Sequence, residues 1–467
     1  MSGTRQEKDS LGFVDVPADA LYGAQTVRAV TNFPISGLRA SPFLIHAIAM
    51  VKLAAARANG DLRLITGEQA GAIVQAAEEV LQGQHREQFV VDVFQAGAGV
   101  SFHMNANEVL ANRAEQILGG RLGEYKLVHP NDHVNYGQST NDVFPTAMRL
   151  GSLLSLRELY PVLTSLAESL DKKAAKFDDI LKSGRTHMQD AVPIRLGQEF
   201  AAYAVAVRRA HAGIEAASES LYELGLGGSA VGTGINTHPE YRALAIRYLA
   251  ELSQEALFPA EDMRYAMQSC APMATVSASL RTLALEVIRI SNDLRLLSSG
   301  PNTGFREIDL PGLQPGSSIM PGKVNPVLPE LVAMVGFQVV GNDAAVAMAV
   351  QAGQLELNVM MPTMAHNVLQ SAKILTNALR ELDQHCIQGI TANGDRCAFY
   401  AQSTVALATA LNPYIGYARA AQVVKDSIAT GRSIIAIVRD EKLLTEEQIA
   451  TILDARAMTE PRQPRLA

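Results

Sequence analysis

Apolar side chains recur at helical spacing through much of this chain, and that rhythm predicts a mainly helical protein. The helical pattern sets in from Pro42 to Ala58. Between 276 and 298, Leu280, Leu283, Val287 and Leu294 form one stripe with Ile290 and Leu297 beside it, while Arg281, Glu286 and Arg289 take other faces. Residues 331 to 350 are uncharged apart from Asp343, so a helix there has to be covered on nearly all sides. Long helices of this kind predict a bundle, and their largely apolar circumference predicts that partner subunits bury part of it. Residues 12 to 37, where prolines and glycines separate short apolar runs, read instead as an irregular arm leading into the first helices. After Asn393 the pattern shortens into small helices, and Thr459 to Ala467 read as a frayed end.

Composition changes this picture little. The 467 residues suffice for two to four conventional domains, and the 48% apolar content suffices for a large core. A net charge of −7 speaks against general nucleic-acid binding, which wants a basic face, so an anionic substrate has to be drawn by local groups. Met1 to Asp9 is polar and does not read as a secretory signal, and no apolar run reads as long and uniform enough to cross a membrane. Cys270, Cys386 and Cys397 are an odd, scattered set without metal-ligand spacing. They read as reduced, buried, small apolar residues of a cytoplasmic protein.

Candidate chemistry is concentrated between Gly316 and Pro326. Glycines at 312, 316 and 322 and prolines at 311, 315, 321 and 326 exclude a regular helix or strand and predict a loop with hinges. Two adjacent hydroxyls, Ser317 and Ser318, share this loop with the Lys323 cation and the Asn325 carboxamide. Removing a proton from a carbon beside a carboxylate needs a positioned base and fixed groups that accept the charge developing on oxygen. Ser317 or Ser318 can serve as the base once its alkoxide is stabilised, with Lys323 and Asn325 as charge stabilisers. A phosphate-binding loop is excluded, because five residues separate Gly316 and Gly322 and Val324 stands where a magnesium-binding hydroxyl belongs.

Three further stretches carry polar groups. Ser139, Thr140 and Asn141 precede a helical pattern, where they either present donors to a carboxylate or simply cap the helix. Thr186 and His187 interrupt the helices with a donor and a group that titrates near neutrality. Two glycine-rich segments, one around Gly97 and Gly99 and one from Leu224 to Asn236, lack the strand-helix-strand setting of a dinucleotide fingerprint; the second reads as a tight interhelical loop.

Taken together, Gly316-Ser317-Ser318-Ile319-Met320-Pro321-Gly322-Lys323-Val324-Asn325-Pro326 with Glu330, Val16 to Gly23, Gln138 to Asp142, Gly184 to His187 and Gly353 to Asn358 resemble the signatures of the aspartase/fumarase superfamily. The resemblance implies a mainly helical, three-domain protomer: an N-terminal domain over 1–138, a central bundle over 139–393 holding the catalytic loop 312–326, and a small C-terminal domain over 394–467. It also implies a homotetramer with a twenty-helix core and active sites each shared by three subunits. The reaction implied is anti-elimination from a small four-carbon dicarboxylate to give fumarate, without an organic cofactor. Ser317 becomes the base. Lys323, Asn325 and Thr186 hold one carboxylate, and Ser139, Thr140 and Ser318 the one on which charge develops. Asn141 joins the substrate-binding set, His187 orients the leaving group or carries a proton, and Glu330 orients His187. His129, Asn131 and Asp132 resemble a second anion site of fumarases.

The leaving group divides the motifs. Gln138 to Asp142, Ala191 to Phe200, Gly353 to Pro362 and Gly389 to Asn393 lean towards aspartases, whereas His129 to Asp132 and Met320 to Lys323 lean towards fumarases. Val100 occupies the position of a threonine that helps hold the amine in aspartases, with Ser101 as the neighbouring hydroxyl, and Phe102 and His103 replace smaller polar residues. An apolar leaving-group pocket around Val100 and Phe102, suited to a substituted succinate, is therefore a further reading, and a retired lyase with a binding role is another.

Overall fold

The computed structural model describes residues 3–461. It opens with an antiparallel hairpin, β1 (Thr4–Asp9) and β2 (Gly12–Pro17), in which Thr4 faces Pro17 and Asp9 faces Gly12. A nine-residue helix follows, α1 (Ala24–Asn32). The expected irregular arm over 12–37 is thus replaced for most of its length by regular structure. Strand pairing here joins residues up to 13 apart, which a local pattern does not reveal; Asp9 is then fixed to α1 by a 2.6 Å bond from Arg28 Nε.

Helices α2 (Pro42–Asp61), α3 (Gly67–Leu81), α4 (Val100–Ile117) and α5 (Thr140–Lys176) come next. The second strand pair, β3 (Leu181–Thr186) and β4 (Gln189–Arg195), is antiparallel and leads into α6 (Leu196–Ser218). Two-residue strands β5 (Glu223–Leu224) and β6 (Phe258–Pro259) flank α7 (Tyr241–Ser253), and α8 (Met263–Gln268) precedes α9 (Ala271–Leu297). After β7 (Ile308–Asp309) come α10 (Val327–Gln351) and α11 (Met361–His385), then β8 (Thr391–Ala392), which pairs with β7. Five short helices finish the described chain: α12 (Gly394–Ser403), α13 (Asn412–Ile415), α14 (Tyr417–Thr430), α15 (Ile434–Asp440) and α16 (Glu446–Ile452). The fold is mainly helical, as the periodicity predicts. Of the end expected to fray, residues 462–467 lie outside the described residues.

Side-chain caps mark several of the helix starts. Ser41 accepts from Phe43 N ahead of Pro42, and Thr66 with Gln69 and Thr445 with Gln448 form reciprocal capping boxes. The chain divides into two compact units, one of residues 1–160, 211–284 and 335–376, the other of 161–210, 285–334 and 377–467. The first is cored by α2, α3, α4 and α7 through Ile48, Leu53, Ile73, Leu110 and Tyr241. In the second, Phe200 meets Phe177 and Tyr203 edge-on at 5.3 and 5.7 Å, and α14 to α16 close over Leu411, Val423, Val438 and Ile452.

Helix α10 corrects one expectation. With a mean hydropathy of 1.5 over its most apolar window, it is long and apolar enough by composition to cross a membrane, although no run was expected to qualify. Its sequence is apolar all round, yet within one chain only one face is covered. Val332, Val339 and Val346 are buried, while Met334, Phe337 and Met348 are each at least 60% exposed.

All three cysteines are buried and free. Burial pushes Cys270 up to about 11 and Cys386 and Cys397 up to about 12, so the reactive thiolate is scarce at neutral pH. A disulfide-exchange reagent at pH 8 should therefore titrate no thiol in the native protein and all three in denaturant. Rapid native reaction of any one would contradict this burial.

Candidate active site

The sequence-derived candidates divide between the two units: Ser101, Ser139, Thr140 and Asn141 belong to the first, and Thr186, His187, Ser317, Ser318, Lys323, Asn325 and Glu330 to the second.

In the first unit, the turn before α4 is fixed by a 2.7 Å bond from Ala98 N to Val359 O and by Gly99, whose φ is +83°. A Cβ at Gly99 would lie 2.2 Å from the Phe144 ring, so only glycine fits. Val100 then starts α4 with 40% of its surface exposed, and Ser101 is nearly buried. Phe102 is fully buried, edge-on to Phe144 at 6.2 Å and near Phe89 at 6.0 Å. The expectation that Phe102 lines a leaving-group pocket is corrected: two residues past Val100, its side chain turns into the aromatic core.

Helix α5 begins at Thr140, with Ser139 as its cap. Ser139 Oγ accepts from Asn141 N at 3.2 Å, and Ser139 N donates to Asp142 Oδ1 at 2.9 Å, so the capping role is made and the serine keeps its hydroxyl proton to give. Asp142 Oδ2 accepts from Gly227 N and Ser229 N, both at 3.0 Å, which ties the glycine-rich segment to this helix start. Asn141 Nδ2 donates to Ala230 O at 2.8 Å. A backbone carbonyl can only accept, so the amide orientation is settled and Asn141 Oδ1 is left to meet a donor.

Two further groups sit behind this helix start: Lys52, which sequence reasoning passed over, and His103, which it noted only as a replacement for a smaller polar residue. Lys52, fully buried, donates from Nζ to Asn135 Oδ1 and Gln138 Oε1, both at 2.9 Å, and burial holds it well below the ordinary lysine range. His103 Nδ1 lies 2.7 Å from Thr140 Oγ1. The signal for Lys52 was present, since it is the one cation in the apolar run Ala47 to Ala56, but a lysine with such neighbours usually reaches to solvent.

In the second unit, Thr186 and His187 occupy the exposed tip of the β3–β4 hairpin, with φ of +54° at His187 and +60° at Met188. Its base is rigid. Lys182 Nζ meets Glu199 and Glu307 at 2.8 Å, Arg185 Nη1 meets Glu307 at 2.9 Å, and the Arg185 guanidinium lies 4.2 Å from the Phe305 ring centroid.

The loop between β7 and α10 is irregular, as its glycines and prolines predict. Its neck is closed by Gly316 N to Lys323 O at 2.7 Å and Asn325 Nδ2 to Gly316 O at 2.8 Å. Inside it, Ser317 Oγ accepts from Ile319 N at 3.2 Å and Met320 N at 3.0 Å. Lys323 is exposed and makes no ion pair among the described residues. It borders two open hollows of about 410 and 480 Å³, the first also lined by Arg295 and Asn325, the second by Ser317 and Met320. Glu330 stands in the first turn of α10, and within one chain no hydrogen bond or ion pair among the described residues joins it to His187.

Comparison with known proteins agrees with these motifs. The lyase family matches residues 12–341, and the family described as fumarase C C-terminus matches 407–460. The chain is similar to an aspartate ammonia-lyase of Pseudomonas aeruginosa, with 48% identity covering 99% of this chain and 98% of the relative. It is also similar to a class II fumarate hydratase of Halobacterium salinarum, with 50% identity covering 97% of each. Among solved structures, a fumarate lyase:delta crystallin of Brucella melitensis bound to cobalt superposes with a TM-score of 0.95 at 47% identity, covering 98% of this chain and 100% of that one.

Two outcomes test the geometry. A Cβ at Gly316 would lie 2.8 Å from Lys323 O and 2.9 Å from Asn325 N. Gly316→Ala should therefore force the neck open and cost roughly 10- to 100-fold in turnover with little change in melting temperature. An unaffected rate would show that the neck does not set the loop's working shape. Burial also raises the Asp142 carboxyl from 3.8 to about 6, against the N–H groups that favour its ionised form. A folded-state value above the unfolded one means that its stabilising contribution is complete below pH 3.8 and lost as pH climbs through 6, on the order of 3 kcal/mol. Asp142→Asn should flatten the stability curve measured by urea unfolding across this window, and an unchanged slope would remove Asp142 as its source.

Proposed function

Since the chain belongs to the lyase family that its relatives define, we propose that it catalyses the reversible anti-elimination of ammonia from L-aspartate to give fumarate. One observation carries the assignment of the base. Ser317 Oγ already accepts two backbone N–H groups, and those donors favour the alkoxide that a serine needs to remove a proton from carbon.

The alkoxide takes a proton from C3, beside the side-chain carboxylate, and the C–H electron pair passes onto that carboxylate as an aci-carboxylate. Return of the pair forms the C2=C3 bond and breaks C2–N, and the amine departs as ammonia. Ser139, Thr140 and Ser318 hold the carboxylate that carries the transient charge, and Lys323, Asn325 and Thr186 hold the other. His187 orients the leaving group. Asn141 Oδ1, fixed by the bond from its own Nδ2 to Ala230, accepts from the ammonium. Asn325 commits one amide hydrogen to Gly316 and has a second for substrate.

These residues come from both units of the fold, and the protein acts as a homotetramer in which three subunits complete each site. Support for partner subunits comes from the uncovered apolar face of α10, including Met334, Phe337 and Met348. In that assembly Glu330 pairs with His187 of another subunit. A cytoplasmic setting suits the three unpaired cysteines.

A second reading, a class II fumarase acting on malate, is favoured by Val100: without a threonine hydroxyl there, one acceptor for the amine is missing. The same valine makes the position more apolar, which suits a substituted succinate. Ultraviolet measurement of fumarate formed from L-aspartate and from L-malate by the purified protein separates these readings. Aspartate alone is the expected substrate, and rapid fumarate from malate alone would overturn the assignment. Ser317→Ala should lose about three or more orders of magnitude in turnover with its assembly and melting temperature intact, whereas near-normal turnover would remove Ser317 as the base.

A further inference from the structure

Thr186 and His187 reach the tip of the β3–β4 hairpin without a side-chain hydrogen bond of their own among the described residues. Thr186 faces Gln189 in the register, and the two residues between them, His187 and Met188, both have positive φ. A two-residue turn of this type follows the twist of its strands and leaves the tip no slack. Where Thr186 lies therefore depends on what holds the strand behind it.

That hold is the side chain of its neighbour. Arg185 Nη1 donates to Glu307 Oε1 at 2.9 Å, and its guanidinium lies 4.2 Å from the Phe305 ring centroid and 5.0 Å from that of Tyr400. Glu307 is itself fixed: it is fully buried, its N–H donates to Leu297 O at 2.8 Å, and its carbonyl accepts from Asn393 N at 2.9 Å. Phe305 O accepts from Arg396 Nε at 3.2 Å, which steadies the aromatic wall. A planar guanidinium seated between two rings and on a buried carboxylate has few orientations open to it.

One irregularity makes this seat reachable. Residues three apart on a regular strand face opposite ways, yet Lys182 and Arg185 both meet Glu307, Lys182 Nζ at 2.8 Å and Arg185 Nη1 at 2.9 Å. The register against β4 shifts between Ser183 and Arg185, and such a shift adds local twist. Gly184 stands at that point, where a Cβ would lie 2.7 Å from Val192 O. The twist that turns Arg185 towards Glu307 also sets the direction in which the next residue, Thr186, leaves the strand.

We propose that Arg185, seated on Glu307, is a positioning residue that places Thr186 for a substrate carboxylate. This rests on the reading that Thr186 binds a carboxylate. Lys182, which meets both Glu199 and Glu307 at 2.8 Å, pins the same strand on the other side of Gly184. Arg185 is the last pinned side chain before the tip.

The test is a double-mutant cycle on the full-length purified enzyme. The inhibition constant of succinate, a dicarboxylate that cannot react, is measured with melting temperature and with kcat and KM for whichever of aspartate and malate is turned over. Thr186→Val should weaken succinate roughly 10-fold. Arg185→Met should do the same, and adding it to Thr186→Val should weaken succinate no further. Arg185→Lys keeps a cation on the same tether for Glu307 and should recover part of the affinity. A lowered melting temperature in Arg185→Met beside full succinate affinity would make the contact structural only and overturn the proposal. Losses that multiply in the double variant, or equal losses in the methionine and lysine variants, would overturn it too. A harmless Thr186→Val would instead sink the carboxylate role of Thr186, and the proposal with it. Should the methionine fail to fold, Gly184→Ala decides, because it disturbs the twist with both cations still present: it should weaken succinate without adding to Thr186→Val, and unchanged affinity would overturn the proposal.

Discussion

Buried carboxylates that accept backbone N–H groups are the constraint on which the first unit depends. Asp92 takes Ser36 N, Gly37 N and Phe94 N; Glu108 takes Gly23 N, Gln25 N and Thr26 N; Glu115 takes Lys126 N, Leu127 N and Val128 N; Asp142 takes Ser139 N, Gly227 N and Ser229 N. Each segment so captured lies outside regular structure or at a helix start, where the backbone has no ladder to satisfy it. Each carboxylate would in turn be costly to bury without those donors. The two needs meet, and irregular backbone becomes fixed backbone. That is how Ser139, Thr140 and Asn141 come to hold set directions although they stand at a junction of loop and helix.

The loop that carries Ser317 is built on the opposite principle. Its neck rests on two hydrogen bonds between Gly316, Lys323 and Asn325, and Ile319 at its tip is 84% exposed. A segment with so few outward attachments moves at small cost. Yet the two N–H groups on Ser317 Oγ come from Ile319 and Met320, within the same loop. In the proposed reaction those donors travel with the base, and a loop that closed would carry an oxygen already prepared for proton removal.

Long-period features of this molecule were legible in the chain, and features that depend on distant partners were not. Leu280, Leu283, Val287 and Leu294 predict α9 because a helix makes its own hydrogen bonds and declares its buried face every three or four residues. The glycines and prolines around Ser317 predict a loop for equally local reasons. The β1–β2 hairpin escaped because its register is set by a pairing no single residue announces. Phe102 escaped because only two positions along α4 separate the exposed Val100 from the core. Lys52 looks in sequence like any lysine that extends to solvent, and only the two carboxamides of Asn135 and Gln138 explain why it stays inside. Helix α10 is the intermediate case: its apolar circumference was readable, but the chain alone does not contain what covers it.

The absent hydroxyl at 100 can be weighed against what the first unit still offers. An ammonium group has only donors to give, so a site that favours it must present acceptors. Thr140 Oγ1 is already engaged with His103 Nδ1 at 2.7 Å, and Ser101 is nearly enclosed. Asn141 is different. Its Nδ2 is held by Ala230 O, which can never be a donor, so the amide cannot turn over without losing that bond, and Oδ1 remains as a fixed acceptor. One threonine acceptor is therefore missing at Val100, but one carboxamide acceptor is locked in place. The hydroxyl of malate can donate to the same oxygen, so Asn141 alone does not discriminate between the two leaving groups. Discrimination has to come from charge: an ammonium gains from every nearby acceptor dipole, whereas a hydroxyl needs only one.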